Sequence, residues 1–250
     1  MSALEFHNVA LVTGGGRGLG AEICRSLAKD GYKVLITDID AERAVQTVQS
    51  IGQEADVFSL ELDVLKKDDF VAALDAVKTK WGGLGVLVNN AALTRTTPVF
   101  DISPEEFSKI IDVNLRGTFL GCQVLGAYFK EVGYGRIINL ASLAGQNGGA
   151  ATGAHYAASK GGILTLTKVF ARELAASGVT VNAISPGPLD VELVHEILPP
   201  EKLASVTKSI PVGTLGDPAF IADLVCFLAS PKAASATGAT FDANGGLYVR

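Results

Sequence analysis

Short apolar runs alternate with longer amphipathic stretches along this chain. The runs are 9-VALVT-13, 34-VLITD-38, 57-VFSLEL-62, 86-VLVNN-90, 136-RIINLAS-142, 179-VTVNAIS-185 and 239-ATFDA-243. Most are rich in Val, Ile and Leu with little polar alternation, as strands covered on both faces are. Between them apolar residues recur at helical spacing over 19–30, 41–52, 67–82, 103–131, 156–177 and 217–230. Ser103-Pro104 and Asp217-Pro218 each pair an N-cap with proline at the first helical position, and Glu105 and Glu106 fill the first turn after Ser103. Gly31 and Gly178 stand where helices end. Repeated βα units predict a doubly wound α/β fold, a parallel sheet of about seven strands with helices on both faces. No linker or composition break interrupts it, so 1–250 is expected to form one domain.

One block breaks the rhythm. Residues 186–216 hold five prolines and no strand pattern. They follow the sixth strand, at a carboxyl end of the sheet, where such folds bind ligands. A substrate lid is expected over about 188–215.

Composition narrows the function classes. The net charge of −5, with no basic run, argues against a general nucleic-acid binder. No apolar run approaches the ~18 residues of a membrane span. The N-terminus lacks a basic-then-apolar leader pattern, and a cytoplasmic location is expected. Cys24, Cys122 and Cys226 are far apart and fall in helix-like apolar patterns, which predicts buried free thiols. His7 and His195 have no metal-site spacing, so no metal is expected. Ser142 has no histidine and acid arranged with it, so a hydrolase triad is disfavoured.

The first strand runs into 13-TGGGRGLG-20. Gly14, Gly18 and Gly20 allow a tight turn in which backbone N–H groups face a phosphate at a helix N-terminus. Asp38, at the end of the second strand, lies 18 residues beyond Gly20, close to the ~20 expected of a ribose-binding carboxylate. Its oxygens would accept both ribose hydroxyls and repel a 2′-phosphate, which favours NAD. Arg17, in the loop, would suit a 2′-phosphate and makes NADP the alternative.

These motifs carry a resemblance. The chain resembles the classical short-chain dehydrogenases/reductases over essentially its full length. The matching motifs, in order, are 13-TGGGRGLG-20, Asp63-Val64, 89-NNAA-92, Asn114 within 112-DVN-114, Ser142, 156-YAASK-160 and 186-PG-187. The resemblance implies an oxidoreductase that moves a hydride between a nicotinamide cofactor and a secondary alcohol or ketone. It implies a catalytic tetrad of Asn114, Ser142, Tyr156 and Lys160. Asp63 and Val64 would line the adenine pocket, Asn90 and Ala91 would sit beside the ribose, and Pro186 and Gly187 would pass the nicotinamide. Leu19, Ile39, Ala92, Val113 and Leu189 complete the cofactor-binding set, with Tyr156 and Lys160. Three features depart from the pattern. Ala92 stands for the usual glycine, Val191 stands for the usual threonine five residues after the proline of PG, and Ser142 precedes Tyr156 by 14 positions.

Tyr156 and Lys160 are four apart, so they share a helix face. A lysine cation there is expected to lower the tyrosine pKa toward operating pH. In the implied roles Tyr156 moves the proton, Lys160 also binds the nicotinamide ribose, Ser142 holds the substrate oxygen and Asn114 holds a water linking Lys160 to solvent. His155 is expected to be structural or at most on the pocket rim, because successive helix residues diverge by about 100°. Ser142, Ala144, Gln146, Tyr156 and Val194 are the expected substrate contacts, with Thr94, Arg95, Asn147, Leu189, Leu193 and His195 as further candidates. The helices over 104–131 and 156–177 are apolar around most of their surface, which suggests a subunit interface, and the resemblance implies a homotetramer or homodimer.

Overall fold

A computed structural model describes residues 6–149, 152–197 and 199–250. Seven parallel strands form one sheet in the order β3-β2-β1-β4-β5-β6-β7. They are β1 (Val9–Thr13), β2 (Lys33–Asp38), β3 (Val57–Glu61), β4 (Val86–Asn89), β5 (Gly135–Leu140), β6 (Val179–Pro186) and β7 (Thr240–Ala243). The continuous apolar runs have a simple cause. Alternate residues of each strand feed two different cores. Ala10, Val12, Val34, Ile36, Val86, Val88 and Ile138 pack under α1 (Gly18–Lys29) and α10 (Pro218–Ala229). Val9, Leu11, Leu35, Leu87, Ile137 and Val181 pack under α3 (Lys67–Trp81), α5 (Gly117–Val132) and α7 (Ala154–Leu174). Neither face is left to water, so no polar alternation is needed. Two further helices are α2 (Ala41–Ile51) and α4 (Pro104–Ile111).

The sheet order reverses between β1 and β4. Connections leave in opposite directions there and open a crevice at the carboxyl ends of the strands. The glycine loop, Asn90 and Ser142 follow strands at this edge, and Pro186 ends β6 there.

Three regions differ from the sequence pattern. The helix expected over 103–131 is divided into α4, a π-helical turn over Asp112–Arg116 and α5. Such turns arise where something interrupts the regular ladder, and here the Asn114 side chain is held by the backbone of Leu93. The glycine-rich stretch after Ser142 contains a short helix, α6 (Ala144–Asn147). The lid segment holds α8 (Glu192–Ile197) and α9 (Pro200–Ser209), and its two ends are joined by a parallel bridge between Leu189 and Gly216. Cys24, Cys122 and Cys226 are free and buried, as the pattern predicts.

Candidate active site

The loop from β1 to α1 is held by its neighbours before any ligand is considered. Thr13 Oγ1 accepts from the backbone N–H groups of Asn90 and Ala91, each at 3.1 Å. The Asn90 amide donates to Thr13 O at 3.0 Å and Gly14 O at 2.9 Å. A Cβ on Gly20 would lie 2.0 Å from Gly14 O, so only glycine fits there. Gly14 and Gly18 take positive φ, at 64° and 52°. A Cβ on Gly18 would meet nothing within 4 Å, so that residue borders open space. Helices α2, α4 and α10 are capped by the side chains of Asp40, Ser103 and Asp217, whereas α1 has no side-chain cap. Its first N–H groups therefore face the crevice with the positive end of the helix dipole behind them. This arrangement fits a dinucleotide phosphate.

Asp38 ends β2 beside this loop. Its Oδ2 accepts from Gly16 N at 3.0 Å and its Oδ1 from Asp40 N at 3.1 Å. Each oxygen retains capacity for a further donor, because an ionised carboxylate has about four acceptor positions. The capping of α2 belongs to Asp40, whose side chain accepts from Arg43 N at 3.2 Å. Arg17 is exposed. Ile39 is 68% exposed, next to Asp38. Val64 is buried and Val113 packs against the same core. Asp63 Oδ1 accepts from Leu65 N at 3.0 Å, which shapes the turn after β3.

A cavity of about 390 Å³ opens across the ends of β4, β5 and β6. Ser142, Tyr156 and Lys160 form one wall, and Leu19, Asn90, Ala92, Pro186, Gly187 and Leu189 connect it to the glycine loop. Lys160 is buried and its Nζ donates to Leu140 O at 2.6 Å. Burial lowers its pKa to about 8. The Ser142 hydroxyl hydrogen-bonds the Tyr156 phenol. The expected lowering of Tyr156 is not found. Burial holds the phenol above its ordinary value, and the Ser142 hydrogen bond offsets only part of that. Lys160 Nζ lies 5.7 Å from the ring centroid and leans to the β5 carbonyl instead.

Asn114 is held by three side-chain hydrogen bonds. Its Nδ2 donates to Leu93 O at 2.9 Å and Ser159 Oγ at 3.0 Å, and its Oδ1 accepts from Leu93 N at 2.7 Å. Both amide hydrogens are used, so the side chain has no donor left for a water. It ties the segment after β4 to α7. Asn90 is likewise occupied in building the loop.

Of the expected substrate contacts, Ser142, Ala144, Tyr156 and Val194 line the cavity. Gln146 does not. Its amide donates to Asp242 Oδ1 at 2.6 Å, next to the ion pair that Asp242 makes with Arg250. Gln146 lies on α6, which turns it toward β7. Thr94, Asn147 and Leu189 line the cavity, while the Arg95 guanidinium donates to Thr94 O outside it. His195 Nε2 lies 2.6 Å from Asp190 Oδ1 on the lid surface. The Leu193 side chain and residues 150 and 151 lie outside the described residues. Thr96, Thr152, Val206, Ser209 and Leu247 line the cavity without having been singled out in the sequence. Val206 and Ser209 sit three apart on α9, a spacing that could have marked them. Nothing in the local sequence marks Leu247.

Comparison with known proteins agrees with this geometry. A family model described as Enoyl-(Acyl carrier protein) reductase matches residues 14–248. The acetoacetyl-CoA reductase of Rhizobium meliloti (strain 1021) is 41% identical over 243 residues, covering 96% of this chain and 98% of that protein. A 3-oxoacyl-[acyl-carrier-protein] reductase of Vibrio cholerae serotype O1 is 39% identical over 242 residues, covering 96% and 97%. In the crystal structure of a short chain dehydrogenase from Bacillus anthracis the fold superposes with a TM-score of 0.88 at 31% identity, covering 98% of both chains. With the loop, the strand order and the Ser142–Tyr156–Lys160 wall in place, the chain belongs to the short-chain dehydrogenase/reductase family of oxidoreductases.

Proposed function

We propose that the protein interconverts a ketone and a secondary alcohol, with NADH as its cofactor and a 3-oxoacyl thioester as its substrate class. The observation that carries this reading is the meeting of a hydroxyl, a phenol and an ammonium group on one wall of a largely apolar cavity. Two O–H groups directed at one point suit a carbonyl oxygen, which accepts two hydrogen bonds. The relatives named as acetoacetyl-CoA and 3-oxoacyl reductases support the thioester class.

In this reading Ser142 holds the ketone oxygen and Tyr156 gives it a proton, or removes one from the alcohol in the reverse direction. Lys160 keeps positive charge beneath the phenol, favouring the phenolate as it forms. The backbone around Gly14, Gly18 and Leu19 binds the diphosphate. Asp38 and Ile39 hold the adenosine ribose, Asp63, Val64 and Val113 border the adenine, and Ala91, Ala92, Pro186, Gly187 and Leu189 flank the nicotinamide. The bound cofactor supplies or accepts the hydride. Thr152 Oγ1 is buried at the cavity and finds no partner among the described residues. Asn147 Oδ1 accepts from Gly149 N at 2.9 Å, which leaves its amide hydrogens for the cavity. Together they offer donors to the second oxygen of a 3-oxo substrate, its thioester carbonyl. Exposed Arg17 favours NADPH as the second reading.

The protein acts as one catalytic unit and self-associates through its helix faces. Among its described residues no helix is long and apolar enough to cross a membrane, while Phe107 on α4, Val169 on α7, and Phe220 and Phe227 on α10 are exposed. Light scattering of the purified protein should give a dimer or tetramer, and a monomer at micromolar concentration would contradict this.

The test is a set of assays with NADH and NADPH on acetoacetyl-CoA, crotonyl-CoA and a simple methyl ketone. The reading predicts NADH oxidation with acetoacetyl-CoA, less with the methyl ketone and none with crotonyl-CoA. Turnover of crotonyl-CoA alone would replace the reading with double-bond reduction.

A further inference from the structure

His155 is fully buried beside Tyr156, and both its ring nitrogens are engaged. Helix α7 begins after Gly153, which has no side chain to cap it. The first N–H groups of a helix need partners from outside the helical ladder. The Tyr156 N–H finds one in the imidazole of the preceding residue, with His155 Nδ1 accepting at 2.9 Å. That bond fixes the tautomer, because Nδ1 must be bare to accept. The ring hydrogen is therefore on Nε2, which donates to Glu106 Oε1 at 2.8 Å.

Glu106 is itself held. Its backbone N–H donates to Ser103 Oγ at 3.1 Å, and the Thr97 hydroxyl and His155 both hydrogen-bond its carboxylate. The ring also has a place reserved for it. A Cβ on Gly153 would lie 2.3 Å from His155 Cε1, and Gly153 N donates to Arg95 O at 2.9 Å. Three ties thus run from the first half of α7 to the segment 93–106. They are Asn114 between Leu93 and Ser159, Gly153 on Arg95, and His155 on Glu106. The first reaches the Tyr156 carbonyl, which accepts from Ser159 Oγ at 2.7 Å, and the last reaches the Tyr156 N–H.

We propose that His155 is a positioning residue, which replaces the missing cap of α7 and, anchored by Glu106, sets the direction of the Tyr156 phenol. It touches neither substrate nor cofactor. Helix geometry explains why it stays out of the cavity although it adjoins Tyr156 in sequence. The ring folds back under the helix start while the phenol faces the cavity. The inference rests on the reading of Tyr156 as the proton-transfer group, and the test separates the two.

Four substitutions distinguish the bonds. His155→Asn keeps an oxygen where Nδ1 stood but cannot reach Glu106. His155→Gln reaches Glu106 but has no acceptor at the Nδ1 position. His155→Leu removes both, and Glu106→Gln keeps an acceptor for Nε2–H. Two readouts are taken, amide hydrogen exchange at Tyr156 and steady-state kinetics with acetoacetyl-CoA and NADH. The exchange readout needs no turnover. We expect Tyr156 N–H to stay protected in His155→Asn and to exchange at least about 10-fold faster in His155→Gln and His155→Leu, since an unpaired N–H opens more readily. We expect kcat to fall by about 10- to 100-fold in the same two variants, the scale of a small misplacement of a reacting group. KM and the NADH dissociation constant should stay within about threefold, and His155→Asn and Glu106→Gln should keep most of the kcat. Equal losses in the Asn and Gln variants would overturn the proposal. So would a lower thermal midpoint with kcat unchanged, which marks a purely structural residue. Tyr156→Phe run alongside reads the other claim, because turnover in that variant would remove the proton-transfer role while leaving the exchange result intact.

Discussion

The cofactor side and the substrate side of the crevice are built by different means. On the cofactor side, β1, the glycine loop and α1 are held by backbone bonds and short side chains. Thr13 and Asn90 close the loop onto β4, and Asp38 accepts two backbone N–H groups from the neighbouring turns. On the substrate side, the cavity is walled by side chains from segments far apart in sequence. Thr94, Ser142, Thr152, Tyr156, Val194, Val206 and Leu247 meet there. The first side is held together by these hydrogen bonds within the fold itself. The second depends on how α7, α8 and α9 pack, so small substitutions should retune it without disturbing cofactor binding.

The sharpest break in this comparison should come at the boundary between the two. Lys160→Met should lower kcat by about 10²-fold or more, since it removes the charge beneath the proposed proton-transfer group, and steady-state kinetics at saturating NADH reads it. The same variant carries a stability signature. Burial lowers Lys160 to about 8 from a usual 10.5. Between those values the unfolded chain binds more protons than the folded one, so stability rises with pH. The penalty for the buried charge is complete below about pH 8 and is relieved toward pH 10.5. The unfolding free energy of the wild type, measured against that of Lys160→Met in denaturant at pH 7.5 and 9.5, should therefore increase with pH. Parallel behaviour of the two proteins would contradict it.

Asp38→Ala should change the cofactor side alone. The ratio of NADH to NADPH affinity should fall by about 10- to 100-fold, about 1.4 kcal/mol for each tenfold, as read by titration of nicotinamide fluorescence. An unchanged ratio would show that Asp38 serves only to hold the loop. Thr152→Val should change the substrate side alone, raising KM for acetoacetyl-CoA by about 3- to 10-fold, the scale of one lost hydrogen bond. KM for a simple ketone should stay the same. The smallest effect belongs to Gln146→Ala, whose side chain faces Asp242. KM should move less than about twofold while the thermal midpoint falls slightly, as expected for a partly exposed hydrogen bond.

The same contrast explains what could be read in the sequence. The cofactor side was legible because backbone geometry writes itself into residue type. A left-handed turn requires glycine at 14 and 18, a close approach requires it at 20, and the strand end carries Asp38 at its expected distance. The two-sided burial of the strands was legible for a similar reason, since both cores draw on alternate residues of one run. The break in the helix over 103–131 was hidden, because it comes from Asn114 bonding Leu93, 21 residues away. Gln146 was placed wrongly for a related reason. The sequence shows that it adjoins Ser142 and cannot show that α6 turns it toward Asp242, 96 residues on. Tyr156 combines both cases. The Tyr156–Lys160 spacing marked the pair, while the burial that raises the phenol and the histidine cap behind it appear only in three dimensions.

The most direct test of the account is single-turnover reduction of acetoacetyl-CoA by wild-type protein and by Tyr156→Phe, each preloaded with NADH. The account predicts NADH oxidation in the wild type and a loss of at least about 10³-fold in the variant, within the range of general acid catalysis, with the NADH dissociation constant unchanged. Equal rates in the two proteins would mean that the Ser142–Tyr156–Lys160 wall does not move the proton, and the central assignment would be wrong.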